Sequence, residues 1–323
     1  MKRRAAPPLR NLRLPALALA PCFLAAAASM AQTPAALPDR TLVGARFGYE
    51  QFRVNGNAAK RIDARGASWT LSNHGLRQNR YPFLIDGSRP GTQVAGGTVN
   101  GEVPLDLDWA EIYTNSAAVM ARDAPGIELR GWTIRQVWDG IRIAGVSEGF
   151  LITEAAVHGT RDDAIENDHG NSGVISNSLF DGVFSGLSMT RKQMPDLAAR
   201  VVMLDTVLMR MQAYPFRGGW THGSPFKIEA NSPSLRIRNT VLAIEDVHHI
   251  GQGRLAQAWQ KTLSASNNYF LNLSDEPLPE GYPLPGEGWT VLQGPAARAR
   301  WQAARAQWFA GPSSGTGRTA RRP

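Results

Sequence analysis

A dense group of acidic side chains lies near the middle of the chain, in the segment Arg-Asp-Asp-Ala-Ile-Glu-Asn-Asp-His-Gly. Four carboxylates, Asp162, Asp163, Glu166 and Asp168, fall within seven residues, and Arg161 is the only adjacent base. Like charges at this density repel one another, so such a group either binds a cation or holds a proton at a raised pKa. Enzymes use carboxylates in both ways, which makes the segment the first candidate for a functional site. Ca²⁺ prefers oxygen ligands, and we expect it on Asp163, Glu166 and Asp168.

The acidic segment lies inside a repeat of short apolar strands. Leu129, Ile152 and Ile175 begin three similar segments, and each is 23 residues from the next. Strands of this kind, separated by Gly, Asn and Asp at a fixed period, describe the coils of a solenoid with parallel strands. A β-sandwich does not explain the fixed spacing, and the period-two alternation of apolar residues argues against helical repeats. The predicted fold is therefore all-β, a single-stranded parallel β-helix.

A second apolar strand recurs once per coil, and its inward positions form a predicted column: Ile141, Ile165, Leu187 and Phe226. Alternation then points the next residue of each strand outward, namely Arg142, Glu166, Ser188 and Lys227. Coils are about 4.8 Å apart, so these four side chains should form one row on one face. We expect this row, with Asp163 and Asp168, to line a binding groove in which Arg142 and Ser188 contact substrate.

Further polar residues are expected around this face. Asp139 should stack beside Asp163, and a second row should contain Arg135, His158 and Asp181. His169 follows the acidic group and is a candidate substrate ligand. The insertions between strands carry four more candidates that could close over the face: Arg191, Lys192, Arg217 and His222.

Between about residues 95 and 275 the pattern resembles the pectin lyase-like superfamily of right-handed parallel β-helices. Asp162-Asp163-Ala-Ile165 is similar to the Asp-Asp-Cys-Ile motif of polygalacturonase-type hydrolases. Thr-His222-Gly and Phe-Lys227-Ile faintly resemble their Gly-His-Gly and Arg-Ile-Lys motifs. The resemblance implies acid and base roles for the paired aspartates, a supporting role for the histidine, and a lysine that binds a substrate carboxylate.

Three hypotheses for function follow, all with a polysaccharide as partner. The first is a polysaccharide lyase on a uronate polymer, in which Ca²⁺ neutralises the sugar carboxylate and Lys227 or Arg191 removes the α-proton. The second is an inverting glycoside hydrolase that uses two of Asp162, Asp163 and Asp181. The third is a non-catalytic β-helix that binds glycan or serves as a surface scaffold.

The first 31 residues have the pattern of a cleavable signal peptide. Basic residues precede an apolar run from Ala16 to Ala28, and Ser-Met-Ala31 provides a small-x-small end. The run is shorter than the roughly 20 residues of a membrane span and contains Pro21, so we expect no stable membrane anchor. We expect a secreted or periplasmic protein.

The rest of the chain divides into a β-helix domain, 32–310, and a disordered tail, 311–323. Within the domain we expect an N-terminal cap at 40–95, coils at about 95–275 and a C-terminal cap at 276–310. The C-terminal cap should contain an amphipathic helix from Pro295 to Ala310.

Charge and cysteine content restrict the partners of this domain. The chain has 35 basic residues, of which five lie in the signal peptide and three in the tail, leaving 27 against 27 acidic residues. The net charge of +8 therefore does not indicate nucleic-acid binding by the folded body. The only cysteine, Cys22, lies in the signal peptide, which excludes disulfides and thiol catalysis from the mature chain. We expect a monomer.

Overall fold

A computed structural model describes residues 39–56, 59–73, 78–190 and 195–311, all within one compact unit, Leu37–Pro323. The predicted signal peptide, Arg191, Lys192 and the tail from residue 312 onward lie outside the described residues. The strands of the first half, in chain order, are β1 (Arg40–Thr41), β2 (Arg46–Gly48), β3 (Phe52–Asn55), β4 (Arg61–Asp63), β5 (Ser68–Leu71), β6 (Phe83–Asp86), β7 (Gln93–Ala95), β8 (Thr98–Gly101), β9 (Ala117–Arg122), β10 (Glu128–Arg130), β11 (Thr133–Val137), β12 (Asp139–Ala144) and β13 (Phe150–Thr153).

In the second half three long strands run around a corner of the solenoid without a break. They are β14 (Ala156–Glu166), β15 (Gly173–Ser188) and β16 (Val201–Met211). The remaining elements are β17 (Tyr214–Phe216), β18 (Gly219–Thr221), β19 (Phe226–Lys227), β20 (Ser234–Arg238), β21 (Val241–Ile244), α1 (Gln252–Gln260), β22 (Thr262–Ser266), β23 (Asn268–Asn272), β24 (Trp289–Gln293) and α2 (Gly294–Ala310).

The strands stack into three parallel ladders, one for each face of the solenoid. The first ladder runs from β1 through β4, β7, β10, β13, β15, β16 and β20 to β22. The second runs from β2 through β5, β8, β11, β14, β15, β16, β21 and β23 to β24. The third contains β3, β6, β9, β12, the end of β14, the end of β15, and β19.

The register confirms the predicted β-helix. Leu129 pairs with Ile152, which pairs with Ile175, and all three are fully buried. The column Ile141, Ile165, Leu187 and Phe226 is continuous and equally buried. These columns belong to one apolar interior that runs along the solenoid.

Regular coils begin earlier than the sequence predicts, because the segment expected to be an N-terminal cap already contributes rungs to all three ladders. Ile62 pairs with Arg40 on one side and with Val94 on the other, and Val94 in turn pairs with Leu129. The intervals between these partners vary, since loops of different length lie between the strands. A repeat without a fixed period is not visible in the sequence.

Helix α1 takes the place of a strand in the third face near the C-terminal end of the coils. Leu255 and Ala258 are spaced three residues apart and are buried in the main core. Trp259 packs edge-on against Phe226 and Phe270, with ring centroids 5.9 and 6.2 Å apart. The helix therefore closes the interior where the third ladder has ended.

Helix α2 matches the predicted helix to within one residue and lies along the outer face of the second ladder. Its buried residues Ala297, Trp301, Ala304 and Trp308 form one stripe. They pack on outward apolar side chains of four strands: Ala156, Leu179, Leu208 and Val241. Within the described residues, neither helix is long and apolar enough to cross a membrane.

Candidate functional site

The predicted polar row exists on the outer surface of the third ladder. Arg142 pairs with Glu166, Glu166 with Ser188, and Ser188 with Lys227. Each residue follows a buried member of the inward column, so period-two alternation sets the direction of all four side chains. This part of the site follows directly from the repeat.

The row is nevertheless covered, whereas the sequence suggested an exposed face. Arg142 is only 7% exposed and Ser188 only 2%. Arg142 donates hydrogen bonds to the Tyr81 hydroxyl at 2.9 Å and to Asn115 Oδ1 at 2.7 Å. Asn115 belongs to the long connection between β8 and β9, which folds over the start of the row.

Lys227 holds the two adjacent aspartates of the acidic group. Its ammonium nitrogen forms a short ion pair with Asp162 and lies 2.7 Å from Asp163 Oδ1. Neighbouring residues of a regular strand point to opposite faces, but the register shifts between Thr160 and Asp163 at the corner of the solenoid. This irregularity allows both carboxylates to reach one cation.

Arg142 forms a second cluster beside the first. Its Nη2 atom lies 2.7 Å from Asp139 and 2.5 Å from Glu166. The backbone N–H of Asp163 donates to Asp139 Oδ1 at 2.9 Å, which links the two clusters. Two cations are thus shared among four buried or half-buried carboxylates.

Burial dominates the protonation of these groups. It raises the pKa of Asp163 well above its ordinary value, with the charge of Asp162 adding to the effect. It also raises the pKa of Glu166 to about 10, helped by Asp139 and opposed by Arg142. The pKa values of Asp162 and Asp168 are raised for the same reason. Burial alone would lower the pKa of Lys227, but the two aspartates override it and raise that pKa.

These groups line a cavity of about 200 Å³, called here the acid cavity. Five carboxylates and three basic residues border it: Asp139, Asp162, Asp163, Glu166, Asp168, Arg142, Lys227 and Arg254. Ser188 of the predicted row also lines it, and its other walls come from residues that the repeat does not reveal: Tyr113, Asn115, Trp138 and Thr190. Asp168 accepts a hydrogen bond from the Ser188 hydroxyl at 2.6 Å, so Ser188 fixes the position of this carboxylate.

A larger groove of about 540 Å³ adjoins the acid cavity at Asp162, Lys227 and Arg254, which line both. Its aromatic wall contains Trp109, Phe184 and Phe216, and we refer to these three side chains as the aromatic wall. Arg217 also lines the groove and is exposed, as the sequence suggested for a residue beside the site. The wall was not predicted, since no spacing in the sequence relates Trp109 to the strands.

Other predicted site residues lie elsewhere. His222 is fully buried, donates from Nδ1 to the Gly223 carbonyl at 2.7 Å and accepts at Nε2 from the Asp246 N–H at 3.1 Å. Burial lowers its pKa to about 3, so it is a neutral residue behind the groove. His169 is exposed in the turn after Asp168.

Asp181 belongs to a different face from the other candidate catalytic carboxylates. It stacks on His158 in the second ladder and binds Arg210 at 2.5 Å and Arg305 at 2.7 Å. The pKa of Asp181 is lowered, because these arginines outweigh its burial. Asp181 therefore does not share the acid cavity with Asp162 and Asp163.

The grouping of acids differs from the predicted metal ligands by one residue. Asp139, Asp163 and Glu166 each offer an oxygen within 4.8 Å of the others, whereas the prediction combined Asp163 and Glu166 with Asp168. Asp168 lines the same cavity but is held by Ser188 and by the backbone N–H of Thr190. Arg142 already supplies a positive charge to two members of the new group.

No protein-family model, curated protein or solved structure matches this chain.

Proposed function

We propose that this protein is an exported glycan-acting enzyme, most specifically a glycoside hydrolase in which two carboxylates of the acid cavity act as acid and base. The observation that carries the proposal is a set of buried carboxyl groups with raised pKa values at a cavity that opens onto an aromatic-walled groove. A carboxyl group that keeps its proton near neutral pH can protonate a glycosidic oxygen. An apolar groove with a few polar groups is the usual form of a small-molecule or glycan site.

Asp162 is the proposed general acid. It lines both the acid cavity and the groove, so it lies where a bound chain would pass from one to the other. Burial raises the pKa of Asp162 and the charge of Asp139 adds to the effect, whereas Lys227 opposes it. General acid–base catalysis by such a group contributes about 10²–10⁴-fold in rate.

The second carboxylate is proposed to come from across the acid cavity. An inverting hydrolase needs its two carboxyl groups about 6.5–9.5 Å apart, to leave room for water. Asp162 and Asp163 bind the same ammonium nitrogen and leave no such space between them. Asp168, which lines the same cavity, is therefore the candidate for the base in place of the Asp162–Asp163 pair, since Glu166 keeps its proton up to about pH 10.

The charge state of Lys227 favours hydrolysis over elimination. A lyase needs a deprotonated lysine or arginine to remove a proton, but the pKa of Lys227 is raised by its two aspartates. Lys227 is better suited to fixing the acid pair and to contacting substrate. Elimination is retained as a second candidate because three carboxylates within 4.8 Å could receive a divalent cation if Arg142 moved aside.

The fold resemblance and the predicted leader complete the proposal. A pectin lyase-like β-helix with a signal peptide would act on polysaccharide in the periplasm or outside the cell, as a monomer. Secretion can be checked by expressing the full chain in a bacterium and sequencing the N-terminus of the exported protein. Cleavage is expected after Ala31.

A two-channel glycan screen tests the function. Neutral and uronate-containing polymers are incubated with the protein, and each reaction is assayed for new reducing ends and for ultraviolet absorbance. Hydrolysis is expected to give reducing ends without absorbance, whereas elimination would give an absorbing unsaturated uronate. Binding without either signal, in gels that contain the polymer, would favour the non-catalytic scaffold and overturn the enzyme proposal.

A further inference from the structure

Arg161 precedes the acid pair in sequence but does not neutralise it. Its side chain is fully buried and is not part of the lining of the cavity that Asp162 borders. The Nη1 atom donates to three carbonyl oxygens, those of Leu107 at 2.9 Å, Leu105 at 3.2 Å and Pro104 at 3.3 Å. In the described part of the chain its hydrogen bonds go to backbone carbonyl groups. The guanidinium therefore fixes backbone segments and, among the described residues, does not pair with a carboxylate.

The same guanidinium also holds a second segment. Its Nη2 atom donates to the Pro215 carbonyl at 2.8 Å, and its central carbon lies 5.0 Å from the centre of the Tyr214 ring. Pro215 and Tyr214 belong to β17, the first strand of the β17–β18 hairpin. Arg161 therefore joins the β8–β9 connection to this hairpin from underneath.

Each of the joined segments carries one member of the aromatic wall. Trp109 follows in sequence the residues whose carbonyls accept hydrogen bonds from Arg161. The backbone N–H of Trp109 donates to the Pro215 carbonyl at 3.2 Å. Phe216 follows Pro215, and the rings of Trp109 and Phe216 lie 5.8 Å apart. Phe184 stacks on Phe216 at 5.4 Å, which ties the wall to β15. The wall is thus tied to the solenoid through Phe184, and Arg161 holds together the two segments that carry its other members.

The groove also has a polar part of its lining that backbone approaches closely. Ser185 is fully buried there, and its hydroxyl has no hydrogen-bond partner among the described residues. Gly223 lies against this hydroxyl, at a position where a Cβ atom would come within 2.1 Å of it. A groove lined by aromatic rings together with hydroxyl and backbone groups is suited to a ring with one apolar face and polar edges.

We propose that the groove is a subsite for one pyranose ring, and that Arg161 is a positioning residue that fixes the aromatic wall beside Asp162. The ring would lay its C–H face on Trp109 and Phe216 and direct its glycosidic oxygen towards Asp162. The assignment of Asp162 rests on the proposed hydrolase, whereas the subsite and the clamp do not. Only arginine offers a rigid fork that reaches carbonyls of two segments at once, and a lysine ammonium cannot span them.

Burial of the Arg161 guanidinium carries a desolvation penalty, which a side chain that only filled space would not need to incur. Desolvation lowers the pKa of Arg161, with Tyr214 and Asp108 opposing the effect. A buried charge is tolerated where its hydrogen bonds give a specific geometry in return. The geometry obtained here is the junction between two loops that otherwise share few strand contacts.

The test compares Arg161→Lys with the control Arg238→Lys, an exposed arginine that pairs with Asp205 on the first ladder. Arg161→Lys is expected to keep the far-ultraviolet strand spectrum but to lose near-ultraviolet intensity from Trp109, whose ring lies 5.1 Å from Trp138. With a substrate from the screen, KM should rise about tenfold with little change in kcat, as for a lost binding contact. The control should change neither quantity.

Two further variants keep the result decisive. Asp108→Ala loosens the same junction from its outer side, because Asp108 accepts the Gly218 N–H at 2.9 Å, and it should reproduce the KM effect if Arg161→Lys does not fold. Trp109→Ala should weaken retention of the glycan in polymer-containing gels, which needs no turnover. Unchanged retention would overturn the subsite. A normal near-ultraviolet spectrum and a normal KM in both junction variants would overturn the role of Arg161. Turnover of Asp162→Asn tests only the proposed hydrolase and does not bear on the subsite or on Arg161.

Discussion

The second and third ladders present similar polar rows that have different electrostatic outcomes. On the second ladder Arg135, His158, Asp181 and Arg210 stack under helix α2. Asp181 lies between two arginines, and Arg210 also contacts Glu245. On the third ladder the carboxylates outnumber the basic residues around the acid cavity.

The protonation of the two rows follows from this balance. Arginines lower the pKa of Asp181, whereas burial and a like charge raise that of Asp163. A cavity of about 590 Å³ beside Asp181 is larger than the acid cavity, but the acids there are paired. A stacked charged row therefore becomes a candidate site where the buried charge is unbalanced, and cavity size is a poor guide.

The largest expected effect separates the two rows by activity. Asp162→Asn should reduce turnover by about 10²–10⁴-fold, because it removes the proposed acid without changing the shape of the side chain. Asp181→Asn should leave turnover within about twofold but lower stability by about 2 kcal/mol, through lost charged hydrogen bonds. Turnover assays and urea unfolding of both variants provide the measurement. Equal loss of turnover in both would contradict the distinction.

The next effect concerns the stability of the acid cavity. Lys227→Met removes the cation from Asp162 and Asp163 and should destabilise the protein by about 3–5 kcal/mol, as expected for a buried charge left without its partner. Combining it with Asp163→Asn should recover a large part of the loss. Urea unfolding of the single and double variants measures the coupling. If the losses of unfolding free energy in the two single variants simply add in the double variant, Lys227 and Asp163 are not energetically coupled, which would contradict the ion pair.

An effect that is smaller for each pH unit is expected in the pH dependence of stability. The folded pKa of Glu166 is raised to about 10, so the folded protein keeps this proton between about pH 4.5 and 10 while the unfolded chain loses it. Stability should therefore fall as pH rises through that window, by up to about 1.4 kcal/mol per pH unit for one proton.

Glu166→Gln mimics the protonated group and tests this dependence. The variant should show a flatter profile than the parent between pH 6 and 9 in urea unfolding. Glu280→Gln changes an exposed carboxylate and serves as the matched control, with the profile of the parent. The interpretation fails if Glu166→Gln and the parent have the same slope.

The smallest expected effect is that of calcium. Arg142 already supplies positive charge to Asp139 and Glu166, so added Ca²⁺ or a chelator should shift the thermal midpoint of the parent by less than about 1 °C, since only a ligand that binds the native state stabilises it. A clear upward shift with Ca²⁺, reversed by chelation, would mean that Arg142 yields its place. That result would favour the lyase over the hydrolase.

The features that repeat could be predicted from the amino-acid sequence. Period-two alternation and the 23-residue spacing specify that Ile165 is inward and that Glu166 stands between Arg142 and Ser188. Helix α2 was also predictable, because its apolar stripe has helical spacing. These properties are local or periodic, and a slip of one residue would turn each buried column to solvent.

The residues that surround the row depend on long-range packing, which the sequence pattern does not show. The β8–β9 connection and the β17–β18 hairpin have no period, so nothing in the sequence relates Trp109 to Phe216 or directs Arg161 to the carbonyls of both segments. His222 is a second example. A histidine in this position suggested a substrate ligand, but packing buries its side chain and keeps it neutral. Residue type and spacing therefore predict the direction of a strand side chain, but its burial and pKa depend on which distant segment folds over it.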